Sequence, residues 1–270
     1  MSQLRKVMQA AIQDLLAHGF DSEARMEHWV SQLRTAIRAD LVPESQVNAK
    51  LTRLFGQLFA QQVGKGRVLK LHQGLSRFTL DQLAPRLHHE LDRRILASAN
   101  LIKLNRARMM EETVQRFAGW STSIPPGGTR AIKLKDVTPN LLKPFNKLPF
   151  EERRVHIDQG HKLISDINDI IASDKGAIAQ VWHSHWRRPG YNYRVDHKER
   201  DGLVYLIRGS WAHQEGLVKA GQAGYSDQVT KPAEEVFCSC YVSYIYNLRD
   251  LPADMLTAKG RAKLQEVKAR

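Results

Sequence analysis

The two cysteines of this chain stand at Cys238 and Cys240, and His183, His185 and His197 precede them in the same aromatic-rich stretch. Thiolate and imidazole are the ligands zinc prefers, and four of them converging close a tetrahedral structural site. Residues two apart on an extended strand share a face, which sets Cys238 beside Cys240 and His183 beside His185. Asp196, next to His197, is suited to bind a metal or to orient the imidazole. Cysteines two apart cannot easily bridge each other without distorting the ring, so free thiols or metal ligands are expected. The plainer alternative is a pair of half-buried strand cysteines with a hydrogen-bonded histidine nearby.

These residues also fall in a recognisable order. Arg194, His197, Asp201 and Gly202 form Arg-x-x-His-x-x-x-Asp-Gly, followed by Pro232 and then Cys238-Ser239-Cys240. This order resembles the phage Mu protein F-like head-morphogenesis family over about the last hundred residues, a domain-sized unit. Ser239 stands where that family commonly has Arg, and Tyr191-Asn192-Tyr193 where an acidic residue is frequent. The resemblance implies a minor head protein of a tailed phage, found in the virion head near the portal and in the host cytoplasm during assembly. Portal and capsid proteins and double-stranded DNA would be its partners. It also makes His197, at the family-matching position, the preferred histidine ligand; by residue type and spacing Cys238, Cys240 and His185, nearer the loop than His183, would complete a zinc site.

Two enzymatic readings compete. Val195-Asp196-His197 is similar to the opening of His-Asn-His nucleases, in which a histidine activates water beside a metal. The segment from there to His213 has no Asn. Trp120-Ser121-Thr122-Ser123 and Glu234-Glu235 are similar to motifs of ADP-ribosyltransferases, but the Ser-Thr-Ser runs into prolines. Neither a Gly-x-Ser-x-Gly elbow nor a His-Glu-x-x-His helix occurs. A non-enzyme is expected; the alternative is a basic nucleic-acid-binding protein or metal-dependent nuclease with no structural role in a virion.

The elements that position these residues follow from hydrophobic period. Leu4, Met8, Ala11 and Leu15 predict a helix ending at Gly19, and Met26, Trp29, Leu33 and Ile37 a second one capped near Ser22. Pro43 suits the first turn of a third, with Leu51 and Phe55 inward. Thr79 and Gln82 resemble a capping box opening a long helix through Leu87, Leu91, Ile102 and Met109. Five prolines between Ser121 and Pro149 predict a linker or an arm that orders on a partner. A helix is expected over 150–173. Beyond Gly176 the period changes to two, with Leu203, Tyr205 and Ile207 on a strand.

The expected class is therefore α+β, with an α-helical domain over 1–120 and a proline-rich connector over 121–150. A small mixed α+β domain covers 151–251, and a basic tail 252–270. The formal net charge of +13, with a pI near 9.9, suggests a polyanionic partner. By segment the net charges are +7, +4, −1 and +3, so the basic surface lies outside the Cys/His region. Arg93, Arg94, Lys103, Arg106 and Arg108 on the long helix are the candidate DNA contacts. No stretch reaches the length of a bilayer span, so a cytosolic chain without signal or membrane anchor is expected.

Overall fold

The computed structural model describes residues 2–268. In chain order the helices are Gln3–His18 (α1), Glu23–Asp40 (α2), Glu44–Phe59 (α3), Arg67–Leu71 (α4), Arg77–Ser121 (α5), Leu134–Leu141 (α6) and Lys143–Asp174 (α7). The strands Ala179–His183 (β1), Val204–Leu206 (β2) and Tyr241–Ile245 (β3) follow, interleaved with the helices Val195–Glu199 (α8) and Trp211–Gln214 (α9). Ala258–Lys268 (α10) closes the described chain. The architecture is an α-helical amino-terminal half with a small antiparallel sheet near the carboxy terminus. No helix among the described residues is long and apolar enough to cross a membrane.

The chain divides into two compact units, Met1–Leu51 with Ser98–Val155, and Thr52–Ala97 with His156–Arg270. The boundaries of these units fall inside α3, α5 and α7. In the first unit Leu4, Met8, Ile12 and Leu15 of α1 meet Leu33 and Ile37 of α2 and Phe117 of α5. Leu141, Leu142 and Leu148 complete the same core. Residues 121–150 are therefore packed structure. Pro125-Pro126-Gly127-Gly128 turns back on the end of α1, where Gly127 N donates to His18 O at 2.9 Å and Thr129 N to Leu16 O at 2.9 Å. Pro144 sits in the first turn of α7, where a helix has no partner for the missing N–H. Pro139 and Pro149 lie inside α6 and α7, each forgoing one bond that the buried leucines beside it offset.

The cap of the long helix also differs from expectation. Ser76, not Thr79, is the cap: its Oγ accepts from the Thr79 backbone N–H at 3.1 Å, so α5 begins three residues earlier, at Arg77. The basic tail is likewise docked: Lys259 Nζ donates to Glu215 O, and Leu264 packs against the sheet core. Arg270, counted in that tail, lies outside the described residues.

In the second unit the sheet order is β2-β1-β3, antiparallel throughout. Ala179 and Val181 of β1 share one face with Leu206 and Ile245, packed on Leu217, Leu251 and Met255. The opposite face carries Gln180 and Trp182, paired in register with Tyr205, Tyr244 and Val242. Trp182 is fully buried there with Tyr205 and both cysteines. This second face positions the candidate site.

Candidate metal centre

His197 sits on the single turn of α8, buried to 1% exposure, with Cys238 at 2% and Cys240 at 4%. Its Nδ1 lies 3.5 Å from each Sγ. Bonds of about 2.3 Å to sulfur and 2.0–2.1 Å to nitrogen at a tetrahedral angle place N and S roughly 3.5 Å apart, so this hydrogen-bond spacing is also compatible with one metal ion between them. All three ligand atoms lie within 4.8 Å of one another. The group could hold a metal ion.

The far side of the imidazole supports the same geometry. His197 Nε2 points at Glu235 Oε1, 3.3 Å away, and a proton on Nε2 leaves Nδ1 bare towards the sulfurs. Glu235 is itself held: Arg194 Nε lies 2.6 Å from its Oε2, and Thr230 Oγ1 donates at 3.2 Å. Burial opposes its ionisation, but the bond to His197 and the charge of Arg194 outweigh burial and keep its carboxyl below the ordinary range. Arg200 bonds Asp196 at 2.7 Å and Thr230 at 3.0 Å, and lies over the Trp182 ring. Trp182 in turn packs edge-to-face on His197, with ring centroids 5.3 Å apart.

The two thiols act on each other's ionisation. Cys238 is pushed down to about 5, foremost by the hydrogen bond from Cys240, with burial opposing and backbone N–H groups of Ala233 and Cys240 assisting. Cys240 is pushed up by that same bond and by burial. Both are free of disulfides. A divalent cation at this point would displace thiol protons, since the metal-binding form of cysteine is the thiolate.

The cysteines lie in the loop ahead of β3 and not on the strand itself, which begins at Tyr241. Three anchors hold that loop. Phe237 N donates to Asp158 Oδ1 on α7 at 2.7 Å, Ser165 Oγ donates to Pro232 O at 2.9 Å, and Ser239 N donates to Tyr191 OH at 3.0 Å. On the other side Asp201 accepts from Ser184 N at 2.8 Å and Trp186 Nε1 at 2.9 Å, tying the end of β1 to the Gly202 turn.

The structure does not bring the other two histidines to the thiols. His183 is on the opposite sheet face from Trp182, bonded to Ser243 Oγ at 2.9 Å and stacked on Tyr241. Strand alternation dictates that separation. His185, expected as the fourth ligand, donates from Nδ1 to Ser239 O at 2.7 Å and so clamps the residue between the cysteines. Asp158, Tyr191 and His161 were not legible as parts of the site. His161 is half-buried on the face of α7 that carries Asp158 and Ser165; burial lowers its pKa while Asp158 and Cys238 raise it.

No family model, curated protein or solved structure matches this chain.

The candidate DNA contacts are arranged differently from a free basic face. Arg94 bonds Glu90 at 2.8 Å and also pairs with Asp166, while Arg93 bonds Glu90 at 2.7 Å. Arg106 is buried against Glu152 at 2.7 Å and donates to Val42 O at 2.7 Å. Arg108 reaches Glu151 at 3.1 Å and Glu112 at 3.7 Å. These four guanidiniums are engaged within the fold. Lys103 is exposed, with no ion pair recorded among the described residues.

Proposed function

We propose that this chain is a minor head protein of a tailed phage, whose carboxy-terminal region is locked by one zinc ion on His197, Cys238 and Cys240. The observation that supports this reading is a convergence. Arg194, His197, Cys238 and Cys240 come from separate parts of the sequence, yet the imidazole and both thiols meet at one buried point, Arg194 reaches it through Glu235, and Asp201 and Gly202 form the adjoining turn. Each has a task there. His197 and the thiols face one another, Arg194 fixes the carboxylate that orients His197, and Asp201 holds the end of β1.

The chemistry favours closure over catalysis. Three protein ligands would leave the fourth tetrahedral position of a zinc ion to water or a further group, yet the ion would cross-link segments distant in sequence, and ligand residues buried to 4% exposure or less favour that structural task. That argues against the metal-dependent nuclease. In this reading the protein acts by position, beside portal and capsid proteins, and touches double-stranded DNA through phosphates alone.

Mass spectrometry of purified virions and precursor heads tests the role: the protein is expected in both. Its absence from both overturns the head-protein reading. Elemental analysis of untagged protein tests the metal separately, with about one zinc per chain expected. Metal-free protein with an intact fold overturns the zinc site.

A further inference from the structure

We infer that the sheet face bearing Trp182 and the cysteines carries a second site, a cavity shaped for a neutral, hydroxyl-bearing ring. The cavity, of about 430 Å³, is lined by Gln180 and Tyr244 from paired strands, by Ser210 and Trp211 at the start of α9, and by residues of α7. Its volume falls within the range of about 300–1,000 Å³ that small-molecule sites occupy. It is separate from the metal-ligand cluster, and its proposal does not depend on the head-protein reading.

Uncommitted polar groups carry the inference. Ser210 is 8% exposed, and its Oγ is buried without a hydrogen-bond partner. Gln180 is 7% exposed, and no hydrogen bond is recorded for its side-chain amide among the described residues. The Tyr244 hydroxyl lines the same cavity, where burial, helped by the negative charge of Asp169, raises it well above its ordinary pKa and keeps it a neutral donor. Buried polar groups in folded proteins are almost always hydrogen-bonded; Ser210 Oγ is an exception, and the Gln180 amide and Tyr244 hydroxyl line the same cavity with no hydrogen bond recorded among the described residues. A hydroxyl-bearing ligand would supply both donors and acceptors to them.

Charge and shape narrow the class. Lys231 is paired with Asp169 at 2.7 Å and Arg208 with Asp227 at 2.8 Å, so the charged groups of the lining cancel in pairs. A charged ligand would have to break one of these pairs; a neutral one would not. Trp211 donates Nε1 to Gly176 O at 3.1 Å, which pins one edge of the indole, and the residue remains 40% exposed. An aromatic face beside amide and hydroxyl groups suits the apolar face of a sugar ring. That ring could belong to a free saccharide or be the ribose of a nucleoside.

Saturation-transfer NMR on the full chain distinguishes the sources, using N-acetylglucosamine and glucose in one arm and adenosine and uridine in the other. Binding with a Kd of about 1 mM or tighter is expected in one arm, a modest affinity for a ligand of this size. Trp211→Ala should weaken it about tenfold or more through loss of the stacking face. Ser210→Ala should weaken binding while leaving thermal stability equal or higher, because it removes a buried hydroxyl that lacks a protein partner. No binding in either arm up to about 20 mM overturns the proposal. Binding that is unchanged in both variants also overturns it, since the ligand would then lie elsewhere.

Discussion

At Glu235 a carboxylate does its work without touching the sulfurs. It holds the Nε2 side of His197, and Arg194 and Thr230 hold it in turn. Loss of such an outer partner costs 10–100-fold in metal affinity in comparable sites. Glu235→Gln is therefore expected to lower zinc affinity by about that factor, measured by chelator competition, while saturating zinc restores one ion per chain. Cys238→Ser should abolish tight binding and lower the melting temperature by several degrees, the shift that about 2–3 kcal/mol produces in a unit of this size. His185→Ala should retain the ion, because its Nδ1 serves Ser239 O. Unchanged affinity in Glu235→Gln would show that the carboxylate does not orient the ligand.

At the scale of elements, two joints set how helices are held. The first is the turn at Gly127-Gly128 on the end of α1. A Cβ on Gly128 would come within 2.2 Å of Leu16 O, and the backbone there has φ of +79°. Gly128→Ala is expected to cost about 2 kcal/mol or more, read by denaturant unfolding. Limited proteolysis should spare residues 121–150 in the parent protein and cut there in the variant. Early cleavage of the parent within this stretch would contradict its packing.

The second joint is Glu90 of α5 with Asp166 of α7. Burial, followed by the hydrogen bond with Glu90, pushes Asp166 up to about 6. Burial opposes the ionisation of Glu90, but bonds from Arg93, Asp166 and Arg94 hold it below its ordinary value. A raised folded-state pKa means that the folded form binds the proton more tightly. The contribution of Asp166 is therefore fully present below its unfolded value of 3.8 and is lost as pH rises through about 6. Asp166→Asn should flatten the pH dependence of unfolding between those limits, and an identical profile in the variant would remove Asp166 as its source.

For the whole molecule the excess of +13 invites a polyanion; of the arginines first suspected of meeting it, Arg94 and Arg106 are largely buried in ion pairs, while Arg93 and Arg108 are paired but remain more than half exposed. If the protein binds DNA, affinity should be independent of sequence and fall steeply with salt through counterion release. Arg106→Ala should act mainly on stability, at a cost of about 3 kcal/mol, because it removes a side chain only 10% exposed and strands the Glu152 carboxylate, itself 21% exposed. Lys103→Ala should leave stability unchanged and lower DNA affinity modestly. Salt-insensitive binding would refute the phosphate mechanism.

The sequence by itself determined the helices and their inward residues, because a period of 3.6 and local caps depend on near neighbours. Leu4, Met8, Leu33, Ile37, Leu87 and Met109 are buried as their spacing predicts. It also singled out His197, Cys238 and Cys240, whose types are suited to a metal. Only the tertiary structure decided where Pro125 to Pro149 lie, since prolines report what a backbone cannot do and not what it packs against. Likewise, only long-range contacts could show that His183 faces away, that His185 clamps Ser239, and that Asp158 on α7 holds the cysteine loop. The fate of the arginines was decided in the same way. Whether a cation meets solvent or a carboxylate depends on a partner such as Glu152, 46 residues away in the chain.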